Sequence, residues 1–254
     1  MAFRTILLVG LIIAVGGCSG AKKTPKLPST QAADGALTQG ALTHPPSRRI
    51  EAMLRVAEAE WAFFGQQVVV LDQDQESIPH VGHWEDDADL YADRINRYWR
   101  RVGKPRLDGY DLKQPWSAAF ISWVMSEAGL SDTEFPGSDA HWNYIRYFDR
   151  SGPTGSFRIR RIQDYSPKTG DLICATRGNF GFTPIYDAMD TGSVLMGHSK
   201  LHCDLVTRNE AGWLEALGGN VRNSVSRTRL RVLPDGRLTP SERRPWFAIL
   251  ENRL

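Results

Sequence analysis

Ser117 heads the stretch 115–130, and its placement gives a hydroxyl more chemistry than a surface serine has. Phe120, Ile121, Val124 and Ala128 recur on one face at helical spacing. Pro115 lies just before that pattern, and Gly129 stands where a helix is usually stopped. Ser117 therefore falls in the first turn of a buried helix, where free backbone N–H groups and the helix dipole favour a developing negative charge. A nucleophile placed there is partly activated by position. Serine is also a preferred N-cap, so a hydroxyl that only caps the helix accounts for the same residue. Residues 138–147 form a second dense group, with His141, Trp142, Tyr144 and Tyr147 on a short helix capped by Ser138 or Asp139. Together with Trp116, His141, Trp142 and Tyr144 are candidates for substrate contact. Packing of these aromatics against the Ser117 helix is an equally economical reading.

Two other clusters invite a metal and are read otherwise. Glu85, Asp86, Asp87 and Asp89 crowd the start of a helical pattern over about 85–102, and Arg97, Arg100 and Arg101 crowd its end. Both sets complement the helix dipole, and no His or Cys joins the carboxylates at ligand spacing. His198, His202 and Cys203 lie close in sequence but lack a convincing fourth ligand. No metal and no cofactor is expected.

The elements that must position these residues follow from the same patterns. Ser47 caps a helix through Ile50, Met53, Leu54, Ala57, Trp61 and Phe64, ended by Gly65. Residues 68–71 are a short apolar run, a strand or an extended connector, and 72–83 read as a polar loop. From Arg158 the pattern turns to strands. A turn at 167–171 precedes a strand at 172–176, 177–200 reads as a long loop or lid, and further strands fall at 202–207 and within 212–221. Later strands are expected near 230–233 and 246–250. Helices first and an antiparallel sheet afterwards make an α+β domain over 48–254.

The net charge of +2 gives no case for nucleic acid, and no basic run with interleaved aromatics appears. Residues 1–17 have one early cation, Arg4, and an apolar run too short to span a bilayer comfortably, which is the pattern of a secretory signal. Its ending, Val15-Gly16-Gly17-Cys18, resembles the lipobox of bacterial lipoproteins, in which the cysteine is acylated and becomes the first mature residue. That resemblance implies a membrane anchor through Cys18. By resemblance to lipoprotein sorting in Gram-negative bacteria, Ser19 in place of Asp in the next position implies the periplasmic face of the outer membrane. Residues 18–47, rich in Lys, Pro, Ser, Thr and Gly, read as a flexible tether. With Cys18 lipidated, Cys174 and Cys203 remain as an even pair in an oxidising compartment; a disulfide and two buried thiols both fit.

The order of Ser117-Ala118-Ala119-Phe120, Pro167-Lys168-Thr169-Gly170-Asp171, His202 and Asn220 resembles the papain-like cell-wall hydrolases of the NlpC and CHAP type. With Ser138-x-x-His141 and Gly218-Gly219-Asn220-Val221-x-Asn223-Ser224-Val225, it also looks like an uncharacterised bacterial family, domain of unknown function 2272, over about residues 85–250. The papain-like resemblance implies a nucleophile at Ser117, a base at His202 and a residue orienting that base at Asn220. It implies a peptidoglycan amidase or peptidase, with serine where the family has cysteine. A serine hydroxyl must lose its proton to a base as it attacks, whereas a thiol ionises readily. A catalytically inactive envelope module that binds peptidoglycan or a partner protein is the alternative the substitution allows.

Overall fold

The computed structural model describes residues 47–177, 200–239 and 241–254. The expected signal, tether, lipidation site Cys18 and most of the 177–200 loop, with His198, lie outside the described residues. Within them the chain is mixed α+β: four α-helices lie on an eight-stranded sheet. No helix of the described residues is long and apolar enough to cross a membrane.

Helix α1 (Arg48–Phe63) starts as the sequence leads one to expect, with Ile50 N donating to Ser47 Oγ at 3.3 Å. It buries Ile50, Met53, Ala57 and Glu60. Glu60 is an acidic residue in the interior, and it is held there by Arg94 and by the Tyr98 hydroxyl of helix α2 (Asp89–Arg101). A buried carboxylate needs such partners, because desolvation otherwise costs several kcal/mol. α2 begins at Asp89 rather than at 85, so the acidic cluster lies mostly ahead of it. Glu85 in particular is buried and accepts a hydrogen bond from Trp116 Nε1, a structural duty beyond the helix-end role expected for it.

Helix α3 (Ser117–Glu127) is buried on nearly every side and is stopped at Gly129, whose φ of 85° suits glycine. Helix α4 (His141–Ser151) begins at His141, with Ala140 in the N-cap position. Ser138, expected as a cap of that helix, instead accepts from Ala140 N through Oγ at 3.1 Å. Ser122 Oγ donates to Ala118 O and accepts from Ser138 N, which ties this loop to α3.

The strands are β1 (Gln67–Asp72), β2 (Gln75–His80), β3 (Phe157–Arg160), β4 (Leu172–Thr176), β5 (Leu201–Glu210), β6 (Trp213–Val221), β7 (Ser224–Arg231) and β8 (Trp246–Asn252). Their order is β2-β1-β7-β6-β5-β4-β8-β3. The sheet is not wholly antiparallel: β1 runs parallel to β7, with Val69 opposite Thr228. The polar stretch 72–83 contains β2, a mostly exposed edge strand with no apolar alternation to announce it. β3 closes the other edge, where the pattern turns to strands at Arg158, and β7 starts six residues before the expected 230. One face of the sheet packs Cys174, Cys203, Leu205, Leu217 and Leu250 against the helices. The other gathers Ile173, Ala175, Val206, Ala216 and Ile249. That alternation is the period of two that a pleated strand imposes.

Cys174 and Cys203 are directly opposite on β4 and β5 and form a disulfide, Cα–Cα 4.2 Å apart. Cys203 is thereby unavailable as a metal ligand. The turn before β4 is held by Asp171, which accepts from Lys168 N at 2.7 Å and from Asn252 N at 2.8 Å. Burial nevertheless pushes the Asp171 carboxyl up to about 6.

Candidate active site

Ser117 is the first residue of α3, and Trp116 holds the N-cap position without a capping side-chain bond. The hydroxyl is therefore free of cap duty. It faces α4: Ser117 Oγ lies 2.7 Å from His141 Nε2. His141 Nδ1 meets the hydroxyl of Tyr144, one helical turn on along the same face. Burial first, then the nearby His202 and Arg177, lowers the His141 pKa well below its usual value, so the ring is neutral. A neutral imidazole has one donor and one acceptor nitrogen. When Nδ1–H donates to the Tyr144 oxygen, Nε2 is left to accept from Ser117, which is the arrangement of a general base. Tyr144 stays protonated, since burial and the charge of Asp204 raise its pKa well above the usual value.

His202 is 5.7 Å from His141, ring centre to ring centre, but its nitrogens are engaged elsewhere. Arg177 Nη2 lies 2.8 Å from His202 Nδ1, and Asp204 Oδ1 lies 2.6 Å from Nε2. A guanidinium only donates, so Nδ1 accepts and the proton sits on Nε2, directed at Asp204. His202 has no nitrogen left for Ser117. Burial lowers its pKa to about 4; Arg177 and Arg244 push the same way and Asp204 opposes them. Burial alone would raise Asp204, but His202, Arg244 and Arg177 together hold it below the ordinary carboxylate value. The residues 202 and 204 are two apart on β5 and so project from the same side of the strand. Gly218 leaves room for the carboxylate, since a Cβ there would sit 1.7 Å from Asp204 Oδ1.

The structure does not bring the three catalytic candidates Ser117, His202 and Asn220 together. Ser117 is brought to His141, a residue assigned to substrate contact, and not to His202. Asn220 does not orient the His202 ring; Asp204 and Arg177 do, and Asn220 gives its carbonyl to Arg177 Nη2 at 2.9 Å. Asn220 has a φ of 54° where the β6–β7 pairing shifts register, which is a bulge ahead of the tight turn at Arg222 and Asn223. Of the other contact candidates, Trp116 and Tyr144 are interior residues, and Trp142 packs against the core with Arg146 over its ring at 5.3 Å. Asp204 was legible as the second residue of a His-x-Asp alternation on a strand. Arg177, just past β4, and Arg244, just before β8, had no local signal, because only the sheet order brings those strand ends together.

Beside this cluster is a cavity of about 470 Å³ whose wall includes His202, Asn220, Arg177, Arg244, Arg243 and Glu76. Glu76, from the unexpected strand β2, pairs with Arg222 and with Arg243. Among the described residues no group of three or more His, Cys, Asp or Glu side chains is arranged to hold a metal ion.

No curated protein and no solved structure matches the chain. The family model described as an uncharacterized protein conserved in bacteria, DUF2272, matches residues 81–252. That span begins just after β2 and takes in α2, α3 and α4, the Ser117–His141 contact, the His202–Asp204 clamp and the strands β3 to β8. The match covers well over half of the sequence, and the chain belongs to the DUF2272 family.

Proposed function

We propose that this chain is a lipid-anchored, cell-envelope hydrolase of serine type that cleaves an amide bond of peptidoglycan peptide. The observation that carries the reading is the 2.7 Å contact between Ser117 Oγ and His141 Nε2 at the first residue of α3. In the reaction His141 accepts the hydroxyl proton as Ser117 attacks the carbonyl carbon. The first bond of the helix runs from Phe120 N to Trp116 O, so the N–H groups of 117–119 precede it and can receive the oxyanion. His141 then returns the proton to the leaving amine, and water, activated in the same way, releases the acyl group. Tyr144 positions His141 by accepting from Nδ1–H. The substrate class rests on the papain-like order of Ser117, the turn at Gly170 and Asp171, and the strand bearing His202. The envelope location rests on the lipobox at Cys18. The test is hydrolysis of purified wall peptides: Ser117→Ala and His141→Ala should each abolish turnover, and the double variant should be little worse than either. Turnover that survives in both single variants sinks the assignment.

A second reading, an envelope module that binds a wall fragment without cleaving it, is favoured by a different observation. Ser117 is 2% exposed and His141 4% exposed, so the hydroxyl is enclosed. Wall fragments retained without turnover by the wild type, and equally by Ser117→Ala, would establish this reading instead.

A further inference from the structure

The cavity next to His202 has a composition that the hydrolytic reading does not use. Its wall carries the guanidinium groups of Arg177, Arg222, Arg243 and Arg244, against the carboxylates of Glu76 and Glu242, with Asp204 behind. Glu76 is committed to Arg222 and Arg243. That leaves Arg177 and Arg244 as the other two guanidinium groups of the wall. Among the described residues, Arg177 is hydrogen-bonded to neutral acceptors, the His202 ring nitrogen and the Asn220 carbonyl, both through Nη2. Arg244 Nη1 lies 3.8 Å from Asp204 Oδ2, too far for a hydrogen bond, and that oxygen has no hydrogen-bond partner. Two guanidinium groups are thus held at one cavity wall, Arg177 on neutral acceptors and Arg244 in ion-pair range of Asp204 without a hydrogen bond to it. Burial and the neighbouring Arg244 lower the Arg177 pKa to about 10, the direction expected of a desolvated cation beside another.

We propose that this cavity is an oxyanion-binding site, in which Arg177 and Arg244 together hold a carboxylate or phosphoryl group of a small ligand. Arginine suits the task, because its planar fork matches the two oxygens of such a group and its charge persists at any physiological pH. The volume admits a ligand the size of a short peptide terminus, and the arrangement fixes its charged end beside His202. The positioning role of Arg177 explains why the clamp on His202 and the cavity share one residue: a bound anion would draw on the same guanidinium that holds the ring.

The proposal is independent of turnover at Ser117, because it is read by binding. Calorimetric titration of the purified full chain would use three probes: an N-acetylated dipeptide with a free C-terminal carboxylate, its C-terminal amide, and inorganic phosphate. The free acid is expected to bind with a Kd below about 1 mM and the amide at least about tenfold more weakly. Arg177→Gln and Arg244→Gln should each weaken the acid about tenfold or more, with near-UV circular dichroism showing that the fold is retained. Arg244→Lys, which keeps the charge and loses the fork, should fall between, and it supplies the comparison if a glutamine variant does not fold. Phosphate binding with the same loss in the arginine variants assigns the phosphoryl form of the ligand. The proposal is overturned if neither the acid nor phosphate binds, or if acid and amide bind alike and the arginine variants leave both unchanged.

Discussion

The clamp on His202 makes an acid-sensitive element out of a single side chain. In an unfolded chain the ring titrates near 6.5, whereas in the fold its pKa is about 4. Between those values the unfolded state binds more protons, so stability present above pH 6.5 is lost as pH falls toward 4. The shift corresponds to about 3 kcal/mol for this one group. His141, lowered in the same direction, adds to the loss. Asp171 opposes it: its folded pKa of about 6 lies above the unfolded value, so protonation between pH 6 and 3.8 favours the fold. Glu85, raised by burial, acts with Asp171, and Asp204, held below its ordinary value, acts with the two histidines, whose burial leaves a net destabilisation on acidification. Thermal melts of the wild type between pH 8 and 4 should show a falling Tm below pH 6.5, and His202→Gln should flatten that slope. A Tm independent of pH over this window would contradict the buried neutral state of both rings. The same clamp has a steric counterpart in Gly218, where a Cβ meets Asp204 Oδ1. Gly218→Ala should cost roughly 1–3 kcal/mol by overpacking, measured by denaturant unfolding. A neutral outcome would mean that Asp204 sits elsewhere.

Among the elements, β4 and β5 do most to hold the site, since β5 bears His202 and Asp204 and Arg177 follows β4. Their covalent link, Cys174–Cys203, spans a sequence separation of 29. Closing a loop of that length removes unfolded-chain entropy equivalent to about 3–4 kcal/mol. The Cys174→Ala, Cys203→Ala double variant should lose a comparable amount in equilibrium unfolding, and the denatured oxidised protein should yield no thiol from either residue on labelling. Two reactive thiols without reductant would show that the bridge is absent. The hairpin of β1 and β2 is the element the sequence hid best. β2 reads Gln75-Glu76-Ser77-Ile78-Pro79-His80, polar and largely exposed, with a proline of the kind confined to edge strands. It becomes a strand because β1 joins β7 and offers it an edge, and in that position it carries Glu76 into the arginine-lined cavity.

At the scale of the whole molecule, the proposed anchor is a property of the leader and not of the fold. Cys18→Ala should leave unprocessed precursor or move the protein out of the membrane fraction. Processing and fractionation identical to wild type would remove the lipoprotein reading while leaving the domain untouched. For the domain itself, Ser117→Cys offers the thiol nucleophile of the papain-like enzymes that the order of its motifs resembles. With His141 in hydrogen-bond reach of residue 117, the variant is expected to retain or gain hydrolysis of wall peptides, read by product release. Complete inactivity of both the wild type and Ser117→Cys would favour the binding module.

What the sequence determined by itself is what local chemistry enforces. Ser47 and Gly65 marked the ends of α1, the apolar face and Gly129 marked α3, and the turn at Gly170 and Asp171 marked the start of β4. Each is a matter of capping, helical period or allowed φ within a few residues. The partners of the polar side chains were not local. The rings of His141 and His202 lie 5.7 Å apart, centre to centre, and nothing in their neighbours' identities says which faces Ser117. The choice falls to the way α4 packs beside α3, which presents His141 Nε2 to the hydroxyl. It falls equally to β4 and β8, whose ends deliver Arg177 and Arg244 to β5. A guanidinium on Nδ1 and a carboxylate on Nε2 close His202 to proton transfer. Only the packed structure decides this, because hydrogen-bond roles follow from which groups burial forces to satisfy one another.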